Sequence, residues 1–259
     1  MNLRRLTINT LLGLALLPVA ASAARVTGIV SLDLCTDWML LKYAEPSQVR
    51  AYSPLLYKYD ADWVPAGLPV HDGSLEHILQ LEPQLLISGE YNAILLRKRL
   101  QQLGQQVAVL SLPTTLDSIR DYQAEFLALI DAGEGFGAAD WDRTYPPRHQ
   151  SLLLLGANGI GTGTDTLEDD LLRKAGWDNY LDASGYVSLQ MERIVAAPPD
   201  AIYSSAPLSH SLANLFTRHP AMQALMPADA APRSDNWRWQ CPGPWSLDLI
   251  RELSLWQGS

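Results

Sequence analysis

The chain is 259 residues long, 47% apolar and 18% charged, with a formal net charge of −9. That apolar share is enough for one sizeable core or two smaller ones and excludes a disordered chain, and the length fits roughly two domains. The surplus of acid repels phosphate backbones, which excludes nucleic acid as a partner.

Residues 1–23 open with Arg4 and Arg5, run through the apolar stretch Leu11 to Ala21 and close on Ala21-Ser22-Ala23. This is the pattern of a secretory signal peptide cut after Ala23, and the stretch is shorter than the roughly 20 apolar residues that cross hydrocarbon. No cysteine stands at the cut to accept a lipid, so the expectation is an untethered periplasmic chain whose charge, without the two arginines, moves from −9 to −11. Cys35 and Cys241 would then sit in an oxidising compartment. Their spacing leaves a bond between them and two free thiols equally open.

From Arg25 the β-branched run VTGIVSL reads as a strand, followed by a loop at Asp33 to Thr36 and a helix from Asp37 to Tyr43. A second strand, Val49 to Tyr52, enters a long loop from Ser53 to Gly73 that carries Tyr57, Tyr59 and Trp63. Loops of that length are more often functional than merely connecting. A short helix with Ser74 as N-cap, a strand through Leu86, a helix from Ala93 to Leu103 stopped by Gly104 and a strand from Val107 to Leu110 complete this half. Alternating strands and helices predict an α/β fold with mainly parallel sheets covered on both faces.

After Pro113 the pattern changes. Leu116 to Asp131 places Ile119, Tyr122, Phe126 and Ile130 on one helical face, ended by Gly133, Gly135 and Gly137. It is the longest uninterrupted helical pattern, and with the polar, proline-broken stretch Asp140 to Gln150 it reads as a connector. Alternation restarts with the buried strand SLLLL at Ser151; Thr166 to Asp169 resembles a capping box for a helix ending at Ala175. A loop from Ala206 to His210, a helix near Leu212 to Thr217, an aromatic loop and a last helix, Leu247 to Leu255 with Ser246 as cap, follow. The predicted organisation is therefore an N-terminal α/β lobe at 24–113, one long backbone helix and linker at 114–150, and a similar α/β lobe at 151–259.

The two lobes share a repeated unit. LEHILQLEPQLLISG, Leu75 to Gly89, aligns without a gap on MERIVAAPPDAIYSS, Met191 to Ser205, pairing Glu76 with Glu192, Ile78 with Ile194, Pro83 with Pro199 and Leu86 with Ile202. Each copy begins as a short helix with an acid in its opening turn, stops at a proline and continues as an apolar strand. A recurrence at this distance is too long for a solenoid and fits two similar lobes.

Signatures of chemistry are few. The run Gly156 to Gly163 follows a strand and precedes a helix, but Thr164 stands where a dinucleotide fingerprint needs glycine and no lysine follows, so it reads as a turn or as close backbone approach to a ligand. A serine nucleophile elbow, HExxH and CxxC are all missing, so no enzyme, resident metal or cofactor is expected. His71 and His210 stand in loops beside the repeats, as surface histidines or ligand contacts. Aromatic residues gather in two loops, Tyr52, Tyr57, Tyr59 and Trp63 in the first half and Trp237, Trp239 and Trp245 in the second. Rings in loops pack or line a pocket, and those that do not pack suit a broad, partly apolar ligand.

With the segment Val30 to Asp37, the two repeats, the stretch Gly163 to Asn179 and the segment Trp239 to Trp245, the chain resembles the class III periplasmic substrate-binding proteins of ABC importers, over nearly its whole mature length. The resemblance implies a monomeric receptor that captures a metal chelate, an iron–siderophore ahead of cobalamin or another corrinoid and haem third, and hands it to an inner-membrane ABC permease. It implies a cleft at the carboxyl ends of the strands, where open α/β sheets bind. The matching ligand-binding candidates are Cys35, Thr36, Tyr52, Ser53, Trp63, Tyr91, Asn158, Thr162, His210, Trp237 and Trp239. It also implies that Glu76 and Glu192 dock onto basic residues of the permease, their simpler role being as partners of a helix dipole. The connecting helix is shorter than is usual in that family. Cys35 and Cys241 both map to cleft-side loops, bonded or free. A chelatase-like bilobal enzyme and a sensory ligand-binding domain are the alternatives.

Overall fold

The computed structural model describes residues 25–59, 61–133, 141–205, 211–225 and 236–256. The expected signal peptide, Gly135, Gly137 and His210 lie outside them. Two sheets form, one in each half of the chain. In the first, β1 (Ile29–Ser31), β2 (Val49–Ala51), β3 (Leu85–Gly89) and β4 (Val107–Leu110) lie in the order β2-β1-β3-β4, and every pairing is parallel. Its helices are α1 (Leu34–Tyr43), α2 (Leu75–Gln80) and α3 (Ile94–Gln102). Alternate residues feed opposite faces: Leu85 and Ile87 enter one apolar core with Ile29 and Trp38, while Leu86 enters another with Val30 and Ile78. Burial of both faces is why these strands read as continuous apolar runs.

The second sheet is built on β5 (Ser151–Leu155), which pairs in parallel with β9 (Ala201–Ser204) along its length and with β7 (Asp178–Asn179) at its start. Its far end meets β6 (Ile160–Thr162), which is antiparallel to β5 and to β8 (Tyr186–Ser188). This half is therefore mixed rather than mainly parallel. The glycine run makes the exception possible. A Cβ on Gly163 would fall 1.8 Å from the Ala183 carbonyl oxygen, and one on Gly161 2.6 Å from Leu181 Cδ1. The close approach expected there is to the chain itself, not to a ligand. The helices of this half are α5 (Leu167–Lys174), α6 (Met191–Ala196), α7 (Pro220–Leu225), α8 (Asn236–Gln240) and α9 (Ser246–Leu255), with only a 3-10 turn at Leu212–Asn214 where a longer helix was expected.

The repeated unit folds as the same object twice. In each copy a six-residue helix, α2 or α6, buries its isoleucine (Ile78 or Ile194) and leads into a strand beside the first strand of its half, with Leu86 opposite Val30 and Ile202 opposite Leu153. The copies belong to separate sheets. Ser74 caps α2 as expected, its side chain accepting from the His77 N–H at 3.2 Å.

Local details differ at three caps. α1 starts at Leu34, three residues before the expected start, because Asp33 caps it by accepting from the Cys35 and Thr36 N–H groups at 2.9 and 3.1 Å. Thr166 caps α5, but Asp169 is drawn to Asn179 and Arg173 and does not close the box. Ser246 is the first residue of α9 and accepts from the Gly243 N–H instead of capping the helix.

Two segments join the halves. On α4 (Leu116–Leu129) the buried Ile119 belongs to the core of the C-terminal half, whereas Tyr122, Phe126 and the following Ile130 belong to that of the N-terminal half. The segment from α8 to α9 crosses as well: Trp239 packs in the C-terminal core, Cys241 and Trp245 in the N-terminal core, and Leu249, Ile250 and Leu253 back in the C-terminal core. The expectation of a single bridge is thus incomplete. The second crossing is made by contacts some 200 residues apart in sequence, between Cys35 and Cys241, a separation of 206.

Candidate functional site

The carboxyl ends of β1 to β4 share one edge because the strands are parallel, and their loops are tied together from below. Ser31, Asp33, Thr36, Asp37, Ser53 and His71 are all buried at that edge. Asp33 accepts from the Gly89 N–H at 2.6 Å as well as capping α1, which joins the ends of β1 and β3. Ser31 and Thr36 hydroxyls are 2.7 Å apart. The Asp37 carboxylate accepts from the Ser53 N–H at 2.8 Å and the Ser53 hydroxyl at 2.6 Å, fixing the start of the long loop after β2. Burial pushes the Asp37 carboxyl up to about 7 from 3.8, against the lowering effect of those hydrogen bonds. Burial likewise pushes the Tyr52 hydroxyl up to about 12, with the nearby Asp37 adding to it.

His71 is neither a surface histidine nor free to meet a ligand. Its Nδ1 accepts from the Gly73 N–H at 3.0 Å, so Nε2 carries the proton and donates to the Ser31 carbonyl at 2.8 Å. Burial lowers its pKa, consistent with a neutral ring. The long loop is closed at its base, where the Tyr52 N–H donates to Pro69 and the His71 N–H to Tyr52. Tyr57 pins its interior by donating to the Pro65 carbonyl and accepting from the Leu68 N–H, both at 3.0 Å.

Above this floor the second crossing segment lies over the N-terminal half. Cys35 and Cys241 form a disulfide with Cα atoms 5.1 Å apart. The Tyr59 hydroxyl donates to Gln240 at 2.6 Å. Trp245 meets Trp38 edge-on at 5.9 Å and Trp63 nearly stacked at 6.5 Å. Beside the disulfide a small hollow opens, lined by Cys35, Glu90, Tyr91, Leu112, Tyr122 and Pro242. Tyr91 after β3 and Leu112 after β4 are exposed at this hollow, and other large apolar side chains stand exposed on loops that leave strand ends: Tyr57 and Trp63 after β2, and Leu212 and Leu215 after β9.

Of the sequence candidates, Cys35 and Tyr91 line this hollow and Trp63 stands on the loop after β2 against Trp38 and Trp245; Tyr91 is 70% and Trp63 41% exposed. Asn158 is exposed after β5, on the equivalent edge of the second sheet. Thr36, Tyr52 and Ser53 reach the right edge but are buried, and Thr36 and Ser53 are spent on holding the loops. Two expectations are corrected. Thr162 ends β6, and because that strand runs against β5 its carboxyl end points to the opposite edge. Trp239 is a core residue, 9% exposed and edge-on to Tyr203 at 5.9 Å. Trp237 falls on α8, and its side chain, like the whole of His210, lies outside the described residues. Sequence reading missed Leu112, a large aliphatic residue two positions after the end of β4, and Leu212 and Leu215, which stand too far beyond β9 for a strand end to signal them.

Glu76 and Glu192 are each the second residue of the repeated helix, exposed, and on equivalent faces of the two halves. Both helices run against their strands, so their first turns lie toward the edges that carry the opening.

No family model and no curated protein sequence matches the chain. Solved structures do. A possible iron-binding periplasmic solute-binding protein from Staphylococcus epidermidis matches with a TM-score of 0.67 at 18% identity over 87% of this chain and 96% of its own. The periplasmic haem-binding protein HutB of Vibrio cholerae matches at 0.65, 19%, 88% and 97%, and the periplasmic vitamin B12-binding protein BtuF of Vibrio cholerae at 0.55, 17%, 88% and 95%. At these identities what is shared is the fold, and along almost its entire described length this chain has the two-lobed α/β fold of class III periplasmic binding proteins.

Proposed function

We propose that the protein is a periplasmic receptor that captures a metal chelate between its lobes and delivers it to an ABC permease, a ferric siderophore ahead of a corrinoid and haem third. The observation that carries this reading is the opening itself. It lies where parallel strands of the N-terminal half end, beside the disulfide that brings in the C-terminal segment, and exposed apolar side chains stand on the loops that leave the strand ends. Such a rim suits a broad ligand with apolar faces, held by stacking and a few polar contacts. Solved proteins of this fold described as haem-binding, vitamin B12-binding or iron-binding support the ligand class.

The lobes are 24–113 and 151–259, with 114–150 between them, and cleavage after Ala23 sends the chain to the periplasm as a monomer. Trp63, Tyr91, Cys35 and Asn158 line the ligand path, and Glu76 and Glu192 dock on the permease. Catalysis is not part of this reading, because Ser53 and Asp37, hydrogen-bonded to each other, are both fully buried away from any substrate and His71 is spent on a backbone carbonyl. The test is protein purified from its own host under metal restriction. Absorption bands of a bound complex with about one metal per chain are expected, and a metal-free, colourless protein that also ignores added ferric, corrinoid and haem complexes would contradict the proposal.

A further inference from the structure

A second hollow lies on the C-terminal half, and its lining has no residue in common with that of the opening. Its volume is about 250 Å³, and it forms where the segment after α4, the end of α5 and the first turns of α9 come together. Tyr145, Leu247 and the buried Ile250 are the apolar part of the lining, and all three belong to or pack on the C-terminal core. The charged part is Arg143 from the segment, Lys174 at the end of α5, and Arg251 and Asp248 from α9. Cations thus outnumber acid here in a chain whose net charge is −9.

Nearby arginines are matched to acids. Arg120 meets Asp117 at 2.6 Å, Arg173 meets Asp169 at 2.9 Å and Arg238 meets Glu252 at 2.6 Å. Arg143, Lys174 and Arg251 make no ion pair among the described residues, although Asp248 lines the same hollow. Three elements far apart in sequence therefore gather like charges, which repel one another until a counter-charge fills the space between them. An adjoining hollow shares Lys174 and Ile250 and carries three acids. Of these, Asp117 is held by Arg120 and Asp170 accepts from the Leu116 N–H at 3.1 Å, which leaves Asp142 unmatched there. Acids farther off are screened beyond about 8 Å at physiological salt, whereas the lining cations meet a ligand at contact. Arginine forks take phosphate oxygens in pairs, and a lysine adds a point charge.

We infer that this hollow binds a small doubly charged oxyanion, inorganic phosphate or a phosphate monoester, through Arg143, Lys174 and Arg251. An anion held there fastens the segment after α4 and the crossing helix α9 to the end of α5. The site is separate from the proposed chelate path and does not depend on it.

The test is thermal unfolding and calorimetric titration at about pH 8, where a phosphate monoester is doubly charged. The probes are inorganic phosphate, glycerol 3-phosphate and, at matched ionic strength, potassium chloride. A saturable rise in melting temperature with phosphate or the monoester, and none with chloride, is expected. A response to both phosphates marks a site for the group itself, and a response to the monoester alone marks use of the apolar lining as well. Lys174→Gln is expected to weaken binding about 10-fold, the loss of one charged hydrogen bond. Asp248→Asn is expected to tighten it several-fold by removing the opposing charge. Because the two variants move affinity in opposite directions, a general loss of stability cannot imitate the result. An equal shift with chloride, or phosphate affinity unchanged in both variants, overturns the site.

Discussion

Cys35, in the first turn of α1, is bonded to Cys241, in the segment that crosses back from the C-terminal half. The bond closes a loop that includes every strand but β1 and clips the second crossing to the first turn of α1. A cross-link that restricts so long a loop in the unfolded chain contributes roughly 2–5 kcal/mol. Chemical unfolding of the Cys35→Ser/Cys241→Ser double variant is expected to show that loss as a lower midpoint. An unchanged midpoint would mean that the packing of Trp245 and the Tyr59–Gln240 hydrogen bond hold the segment without the bond.

Trp245 and Trp63 touch the same partners but differ in burial, 5% against 41% exposed. Truncating a buried tryptophan costs about 3–5 kcal/mol. Trp245→Ala should therefore lower stability severely, whereas Trp63→Ala should cost about 1 kcal/mol of stability and reduce ligand affinity by roughly 10-fold through the lost stacking face. Thermal unfolding and calorimetric titration separate the two effects.

Asp37 and His71 give stability opposite dependences on pH. Folded Asp37 keeps its proton up to about 7, while in the unfolded chain it titrates near 3.8. Between those values the folded state holds the extra proton, so this group's contribution to stability falls as pH rises through the window and levels off above it. His71 is held below 6.5, so its contribution falls as pH drops below that value. The melting temperature of Asp37→Asn, followed from about pH 4 to pH 8, should lack the first slope and keep the second. A variant with the parent's full profile would show that buried Asp37 is not its source.

Gly163 is placed against a backbone atom that cannot move aside, the Ala183 carbonyl oxygen. Gly163→Ala should destabilise the protein by about 3 kcal/mol or more, the upper end of overpacking costs, because β6 must separate from the segment that precedes β8. Gly67→Ala is the control for space, since nothing stands within 4 Å of its Cβ position, although its φ of +78° leaves a smaller backbone cost. Midpoints of chemical unfolding compare the two.

What the sequence made legible follows from what is local. The repeat was readable because helix, proline and apolar strand are each encoded within a few residues, and α2–β3 and α6–β9 fold as aligned. The glycine run reads as a turn or ligand approach because the neighbours that demand it, Leu181, Ala183 and Leu189, lie 20 to 28 residues on with no period to reveal them. Trp239 was grouped with the ligand rings because α8 has only five residues, too few to display a buried face. His71 looked like a surface residue for the same reason: its partner, the Ser31 carbonyl, is 40 positions away. A cleft at the strand ends comes from the family resemblance, and which residues at that edge stay exposed depends on hydrogen bonds such as Ser53 to Asp37 that only the fold creates.

In the proposed receptor, the two halves of a chelate-loaded protein present Glu76 and Glu192 together to a permease. The most direct measurement is uptake of the bound chelate by cells carrying the Glu76→Arg/Glu192→Arg double variant, alongside the variant's affinity for the same chelate. Uptake should fall to background with affinity unchanged, because both acids are exposed and away from the opening's lining. Parental uptake by the double variant would contradict delivery through these two helices.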